Sequence, residues 1–208
     1  LSRSGTETYT VQCDFTEVIR SNQTFENLFN LYQAEQRPEI QLIINAASLI
    51  PIGNIAETKA SEILQHLNIN INSSTLLIHQ FSKAFQNHSA NKTMAYISSG
   101  AARRNIEGMS LYCASKAALE RLVMTFHQEQ QKQKHPINAM VINPGVMDTG
   151  MQHTIRQQDE KDFPLLDHWT QLYTKGLLAD VQTVAKICHN LMESPIPEPP
   201  YHVAQEHI

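Results

Sequence analysis

Thr93-Met94-Ala95-Tyr96-Ile97-Ser98-Ser99-Gly100, followed after a short loop by Tyr112-Cys113-Ala114-Ser115-Lys116-Ala117-Ala118-Leu119, decides how this chain folds. The first run is apolar and closes on serines, as a buried strand does; the second is alanine-rich and reads as a helix. Four residues make about one helical turn, so Tyr112 and Lys116 share a face of that helix. A free phenol has a pKa of about 10, too high for a proton shuttle at neutral pH, and an ammonium nearby favours the phenolate and lowers it. Tyr112 is thereby a candidate general acid/base. Ser99, at the carboxyl end of its strand, is placed to hydrogen-bond the same reacting oxygen.

Outward from this unit, apolar runs alternate with helix and turn signals along the whole chain. That is the pattern of an α/β protein with a mostly parallel sheet. Strands are expected at 8–13, 41–46, 93–98 and 137–143, with a weak one at 201–205, and helices at 16–33, 58–86, 111–133 and 181–192. The long second helix is expected to break, because Asn68, Asn70, Asn72, Ser73 and Ser74 are poor helix formers in its middle. Residues 147–175 mix charge with aromatics after a Pro-Gly turn, so they read as a lid or substrate loop. Residues 194–200 carry four prolines and read as a stiff connector.

The 208 residues, 41% hydrophobic, suit a single soluble domain with a sizeable core. Net charge is −4, and the short basic block Lys132-Gln133-Lys134-His135 lies near an expected helix end, where cations suit the dipole. Nucleic acid is therefore not an expected partner. Three cysteines, Cys13, Cys113 and Cys188, lack paired spacing, which argues against a disulfide framework or a zinc site and for a reducing, cytoplasmic setting. The histidines show no ligand spacing, so no metal is expected. The apolar runs are too short to cross a bilayer, and no membrane association is expected.

With these pieces in place the chain resembles the short-chain dehydrogenase/reductase family, and within it the sepiapterin reductase and benzil reductase group. Four signals agree in order: the Ser99, Tyr112, Lys116 set; Ile43-Ile44-Asn45-Ala46-Ala47, similar to the family's Asn-Asn-Ala-Gly turn; Asn70, matching the helix asparagine of a catalytic tetrad; and Pro144-Gly145-Val146-Met147-Asp148-Thr149-Gly150-Met151-Gln152, close to the group's Pro-Gly-x-x-Asp-Thr-x-Met-Gln. The resemblance implies a Rossmann-like doubly wound parallel sheet with a nicotinamide cofactor across the carboxyl ends of its strands. It implies reduction of a small ketone or dicarbonyl: Tyr112 protonates the oxygen, Ser99 polarises it, Lys116 holds the ribose, and Asn70 holds a water that refills the proton. Asn45, Ala46, Pro144, Gly145 and Thr149 would line the cofactor, Asp14 would face the adenine, and Ser2 with Arg3 would take the 2′-phosphate of NADP, a task to which a guanidinium is suited. Helices 58–86 and 111–133 match those that pair in the family's homodimers.

Each residue also has a plainer reading. Asn70 can be a helix-interrupting polar residue, Arg3 a solvated terminal residue, Asp14 a helix cap before Thr16, and Cys113 a packed helix residue.

Three departures qualify the resemblance. Ile44 and Ala47 stand where the family's turn has Asn and Gly. Ala204 stands where sepiapterin reductases carry a pterin-anchoring Asp, so sepiapterin is not the expected substrate. The glycine-rich turn that cradles a pyrophosphate is not found among the seven glycines. The chain is therefore expected to be an N-terminally incomplete single domain over 1–208, with a gap of roughly 10 Å where a first strand belongs. A non-catalytic nucleotide-binding or scaffold homologue is the alternative.

Overall fold

The computed structural model describes residues 8–35, 37–195 and 200–207. Four parallel strands, β1 (Glu39–Ile44), β2 (Asn91–Ile97), β3 (Ile137–Asn143) and β4 (Tyr201–Val203), lie side by side in chain order. Parallel neighbours need long crossovers, and helices supply them: α2 (Ala60–Leu67) and α3 (Ser74–Phe85) between β1 and β2, and α4 (Ser110–Gln130) between β2 and β3. The stretch from β3 to β4 carries α5 (Gly150–Arg156), α6 (Leu166–Thr174) and α7 (Val181–Glu193). α1 (Val18–Tyr32) precedes β1.

Both faces of the sheet are covered, which is why β2 and β3 read as continuous apolar runs. Side chains alternate along each strand. Met94, Tyr96, Ile137, Ala139 and Val141 pack beneath α1, α3 and α4 with Phe25, Phe29, Phe81, Leu119 and Val123. Ala95, Met140 and Ile142 point the other way, onto Val184, Leu191 and Met192 of α7. Phe29 meets Phe81 and Phe85 edge-on at 5.7 Å, contacts worth ~1 kcal/mol each beyond their buried area. The expected α/β fold is thus present, with helices on both faces of a parallel sheet.

Several expectations need correction. Residues 8–13 form no strand. A strand is held by a ladder to its neighbour, and among the described residues none lies beside the edge of β1 that faces away from β2. The second long helix is interrupted where expected, at Asn68–Ser73, but the chain stays helical across the interruption. α2 passes into α3 through a π-helical turn, Asn68–Ser73, with helical dihedrals at both junctions. The polar residues that weaken an ordinary helix are satisfied there by tertiary partners: the Ser73 hydroxyl donates to Phe15 O at 2.8 Å and the Asn68 amide to Thr16 O at 3.1 Å.

The segment 147–175 is more ordered than a loop. It holds α5 and α6, and it buries Ile155 and Phe163 against Leu49, Met109 and Tyr112. The last strand is also shorter than expected, since a 3-10 turn, Ala204–His207, follows Val203 at once. Residues 196–199 of the proline-rich connector lie outside the described residues.

Candidate active site

Because β1, β2 and β3 are parallel and in register, with Ile44 beside Tyr96 and Ile97 beside Ile142, their carboxyl ends open on the same side. Asn45 and Ala46 follow β1 and are exposed; Ser98 and Ser99 follow β2; Pro144 and Gly145 follow β3. Gly145 has φ +77°, a backbone conformation that suits glycine. Its N–H donates to Asn143 Oδ1 at 3.0 Å, closing the turn. Thr149 caps α5 without a side-chain bond of its own.

Ser99, Tyr112 and Lys116 come together at this rim. Ser99 has extended backbone and begins a 3-10 turn, Gly100–Arg103, whose Ala101 N–H donates to Ser99 Oγ at 3.2 Å. The same hydroxyl neighbours the Tyr112 phenol and favours its ionised form. Lys116, one turn along α4, is 4% exposed and reaches back so that Nζ donates to Ile97 O at 2.8 Å. Its Nζ lies 5.0 Å from the Tyr96 ring centre and 5.7 Å from that of Tyr112.

The ionisation of these groups corrects the sequence reading. Burial pushes the Tyr112 phenol up from its usual value, and the Ser99 hydroxyl pulls it only part of the way back. Burial also lowers the Lys116 amine, from 10.5 to about 8, against the opposing pull of the Glu120 carboxylate. Desolvation disfavours the charged form of each group, and for both it is the largest influence. A phenol held protonated is the form a proton donor requires.

Asn70 is buried behind the tyrosine, in the π-helical turn. Its carboxamide accepts from Ser48 N–H at 2.7 Å and donates to Ser48 O at 2.8 Å, with His66 Nε2 at 3.0 Å and Ser115 Oγ at 3.1 Å from the same nitrogen. His66 Nδ1 lies 2.8 Å from Ile50 O. A carbonyl only accepts, so Nδ1 carries the proton and Nε2 is the acceptor for Asn70. The side chain of Asn70 is therefore held by protein partners, and it ties the segment after β1 to α4 through Ser115, whose hydroxyl donates to Tyr112 O at 2.9 Å. Among the described residues Asn70 Oδ1 accepts only from Ser48 N–H, which leaves a second lone pair for the water that the sequence suggested.

Asp14 is exposed and accepts from the Thr16 N–H at 2.9 Å and hydroxyl at 2.8 Å, bonds that hold its carboxyl below the usual value. It thus serves as the cap of the turn leading to α1. Ser2 and Arg3 lie outside the described residues. The cysteines Cys13, Cys113 and Cys188 are free thiols. Among the described residues no cluster of metal-ligating side chains occurs and no helix is long and apolar enough to cross a membrane.

Two parts of the site escaped the sequence reading. His66 stands four residues before Asn70, and Glu120 four after Lys116. That one-turn spacing was the available signal. The Glu120 carboxylate, 6% exposed, accepts from the Ser98 hydroxyl at 2.6 Å and from Arg103 Nε at 3.1 Å.

A sequence model described as short chain dehydrogenase matches residues 1–160. The chain is 35% identical over 182 residues to a benzil reductase ((S)-benzoin forming) of Bacillus subtilis, covering 88% of this chain and 75% of that protein. It is 29% identical over 175 residues to the sepiapterin reductase of Mus musculus, covering 81% and 65%. The crystal structure of a short chain dehydrogenase/reductase from Saccharomyces cerevisiae superimposes with a TM-score of 0.79 at 24% identity, over 93% of this chain and 75% of that one.

Proposed function

This chain belongs to the short-chain dehydrogenase family, and from that premise we propose that it reduces a small ketone or dicarbonyl with NADP as cofactor and Tyr112 as general acid. The observation that carries the reading is the convergence of a buried phenol, the Ser99 hydroxyl and a buried lysine at the carboxyl ends of parallel strands. Crevices of this kind are where open α/β sheets bind ligands.

The donor set fits the nicotinamide end of such a cofactor. Lys116 has three N–H donors and spends one on Ile97 O, leaving two for ribose hydroxyls. Asn45, directly after β1, and Thr149, directly before α5, would add a carboxamide and a hydroxyl. When bound, the cofactor would supply the hydride to the carbonyl carbon. Ser99 would donate to the carbonyl oxygen while Tyr112 gives it a proton, and the phenolate so formed would be stabilised by the Lys116 ammonium and the Ser99 hydroxyl. Asn70, bonded to Ser48 and Ser115, would hold Tyr112 and the segment after β1 in register.

The wall beside Tyr112 favours an apolar substrate. Leu49, Met109, Ile155 and Phe163 are buried with it, and Met151 and Trp169 pack on them. The ring of Trp169 packs on this wall, with Nε1 buried and without a hydrogen-bond partner among the described residues. We further infer a cytoplasmic enzyme whose α2–α3 and α4 pair across a homodimer interface, for which light scattering should give twice the chain mass.

The deciding experiment follows consumption of NADPH and NADH with a panel of aromatic and aliphatic 1,2-diketones. NADPH oxidation that Tyr112→Phe reduces by ~100-fold or more is the expected result. Full turnover in that variant would overturn the assignment, and a preference for NADH would overturn the role of Arg3.

A further inference from the structure

We propose that Glu120 is a positioning residue of this site, whose buried carboxylate locks the strand end bearing Ser99 onto α4 and keeps the Lys116 amine in its charged form. The inference rests on reading Lys116 as the cationic partner of Tyr112.

Glu120 lies one turn beyond Lys116 on the same face of α4. It is nearly sealed from solvent, and the Ser98 hydroxyl donates to one of its oxygens at 2.6 Å while Arg103 Nε donates to the other at 3.1 Å. Ser98 in turn hangs from β3 through its N–H, which donates to Ile142 O at 2.8 Å. Arg103 lies with its guanidinium carbon 3.5 Å from the centre of the Tyr201 ring in β4. One carboxylate therefore joins β2, α4 and, through Arg103, β4 at the residue next to Ser99.

The ion pair with Arg103 does not by itself account for burying this carboxylate. The Arg103 side chain is 49% exposed, so its attraction is weakened by solvent, whereas taking a carboxylate out of water costs several kcal/mol. The second beneficiary is Lys116. The groups that face its amine are the Tyr96 and Tyr112 rings, the Ile97 carbonyl and Glu120. Of these only Glu120 bears a carboxyl group. Burial drags the amine down to about 8, and Glu120 is what opposes the fall. With the carboxylate gone, more of Lys116 would be neutral at physiological pH, and the phenolate formed on Tyr112 would lose its counter-charge. Burial first, then the Tyr112 and Glu120 charges, hold the neighbouring Tyr96 phenol up, so it stays neutral.

The test titrates the lysine amines by NMR in the full chain carrying isotope-labelled lysine, with Lys116→Met assigning the resonance. Wild type is compared with Glu120→Gln, Glu120→Asp and Arg103→Met. Glutamine keeps the volume and an acceptor for Ser98 and removes only the charge. The expected result is a fall in the Lys116 pKa of at least about half a unit in Glu120→Gln, substantial recovery in Glu120→Asp, and a rise in Arg103→Met, where a competing cation is gone. In parallel, the alkaline limb of the kcat profile for NADPH oxidation should move down in Glu120→Gln by the same shift. An unchanged Lys116 titration in Glu120→Gln overturns the proposal, and if that variant does not fold, an unchanged titration in Arg103→Met does so. A shifted titration in a chain that never oxidises NADPH would instead overturn the reductase reading and leave the coupling of Glu120 to Lys116 standing.

Discussion

Lys116→Met should make this protein more stable at neutral pH while removing its activity. The wild-type amine is 4% exposed, and its pKa falls from 10.5 to about 8 on folding. At ~1.4 kcal/mol per pH unit, that is on the order of 3 kcal/mol of folding free energy lost to keeping a charge out of water. The sign follows from proton binding. Between about 8 and 10.5 the unfolded chain holds the proton and the folded one does not, so stability rises with pH across that window. The penalty is fully present below about 8 and absent above 10.5.

Methionine keeps most of the aliphatic stem and abolishes the charge, but it leaves Ile97 O without its 2.8 Å donor, a loss of ~1–2 kcal/mol. Glu120 retains Ser98 and Arg103. The net gain at neutral pH is then ~1–2 kcal/mol. Urea unfolding of both proteins in small pH steps from neutral to about 10.5 measures it. The variant's advantage should shrink by on the order of 3 kcal/mol across the window, whatever the Ile97 carbonyl contributes, since that contribution is pH-independent. Lys92, buried and also lowered, is common to both proteins and cancels. An advantage that stays constant with pH would refute the desolvated amine.

Other consequences can be measured separately. Gly108 has φ +81°, and a Cβ there would stand 2.5 Å from Asp162 O and 3.2 Å from the Phe163 ring. Gly108→Ala should therefore cost ~1–3 kcal/mol and loosen the segment that seats Phe163 beside Tyr112; an unchanged Tm would contradict this packing. The nitrogen shifts of His66 should report a neutral ring protonated at Nδ1, because that atom faces Ile50 O. An Nε2–H tautomer would dismantle the Asn70 network as drawn. His66→Leu removes both that bond and the acceptor of the Asn70 amide, and should cost ~2–4 kcal/mol in chemical denaturation, whereas a cost under about half a kcal/mol would show the network to be dispensable.

Much of this was legible before any coordinates. The strand at residues 137–143 is legible to the residue, as β3 (Ile137–Asn143), because five of its seven residues are buried, on both faces of the sheet. The Ser99–Tyr112–Lys116 set was legible because a strand end, a turn and one helical turn are local geometry. Less legible was whatever depends on a distant neighbour. Residues 8–13 have strand composition and form no strand, since composition cannot supply a pairing partner. The asparagine-rich middle of the second helix looked like a break, yet Ser48, Phe15 and Thr16, each far away in sequence, satisfy its side chains and hold a π-helical turn in place.

The amino-acid order by itself determined that Ser99, Tyr112 and Lys116 would meet, because one-turn spacing after a buried strand leaves them little choice. It did not determine their protonation. Whether Tyr112 is pulled down by Lys116 or held up by burial is a contest between charge attraction and desolvation. Desolvation depends on Leu49, Met109 and Phe163 closing over the phenol, and on Tyr96 and Glu120 closing around the amine. Only the tertiary structure assembles that surrounding, and it decides that Tyr112 is held up as a neutral phenol beside a buried lysine.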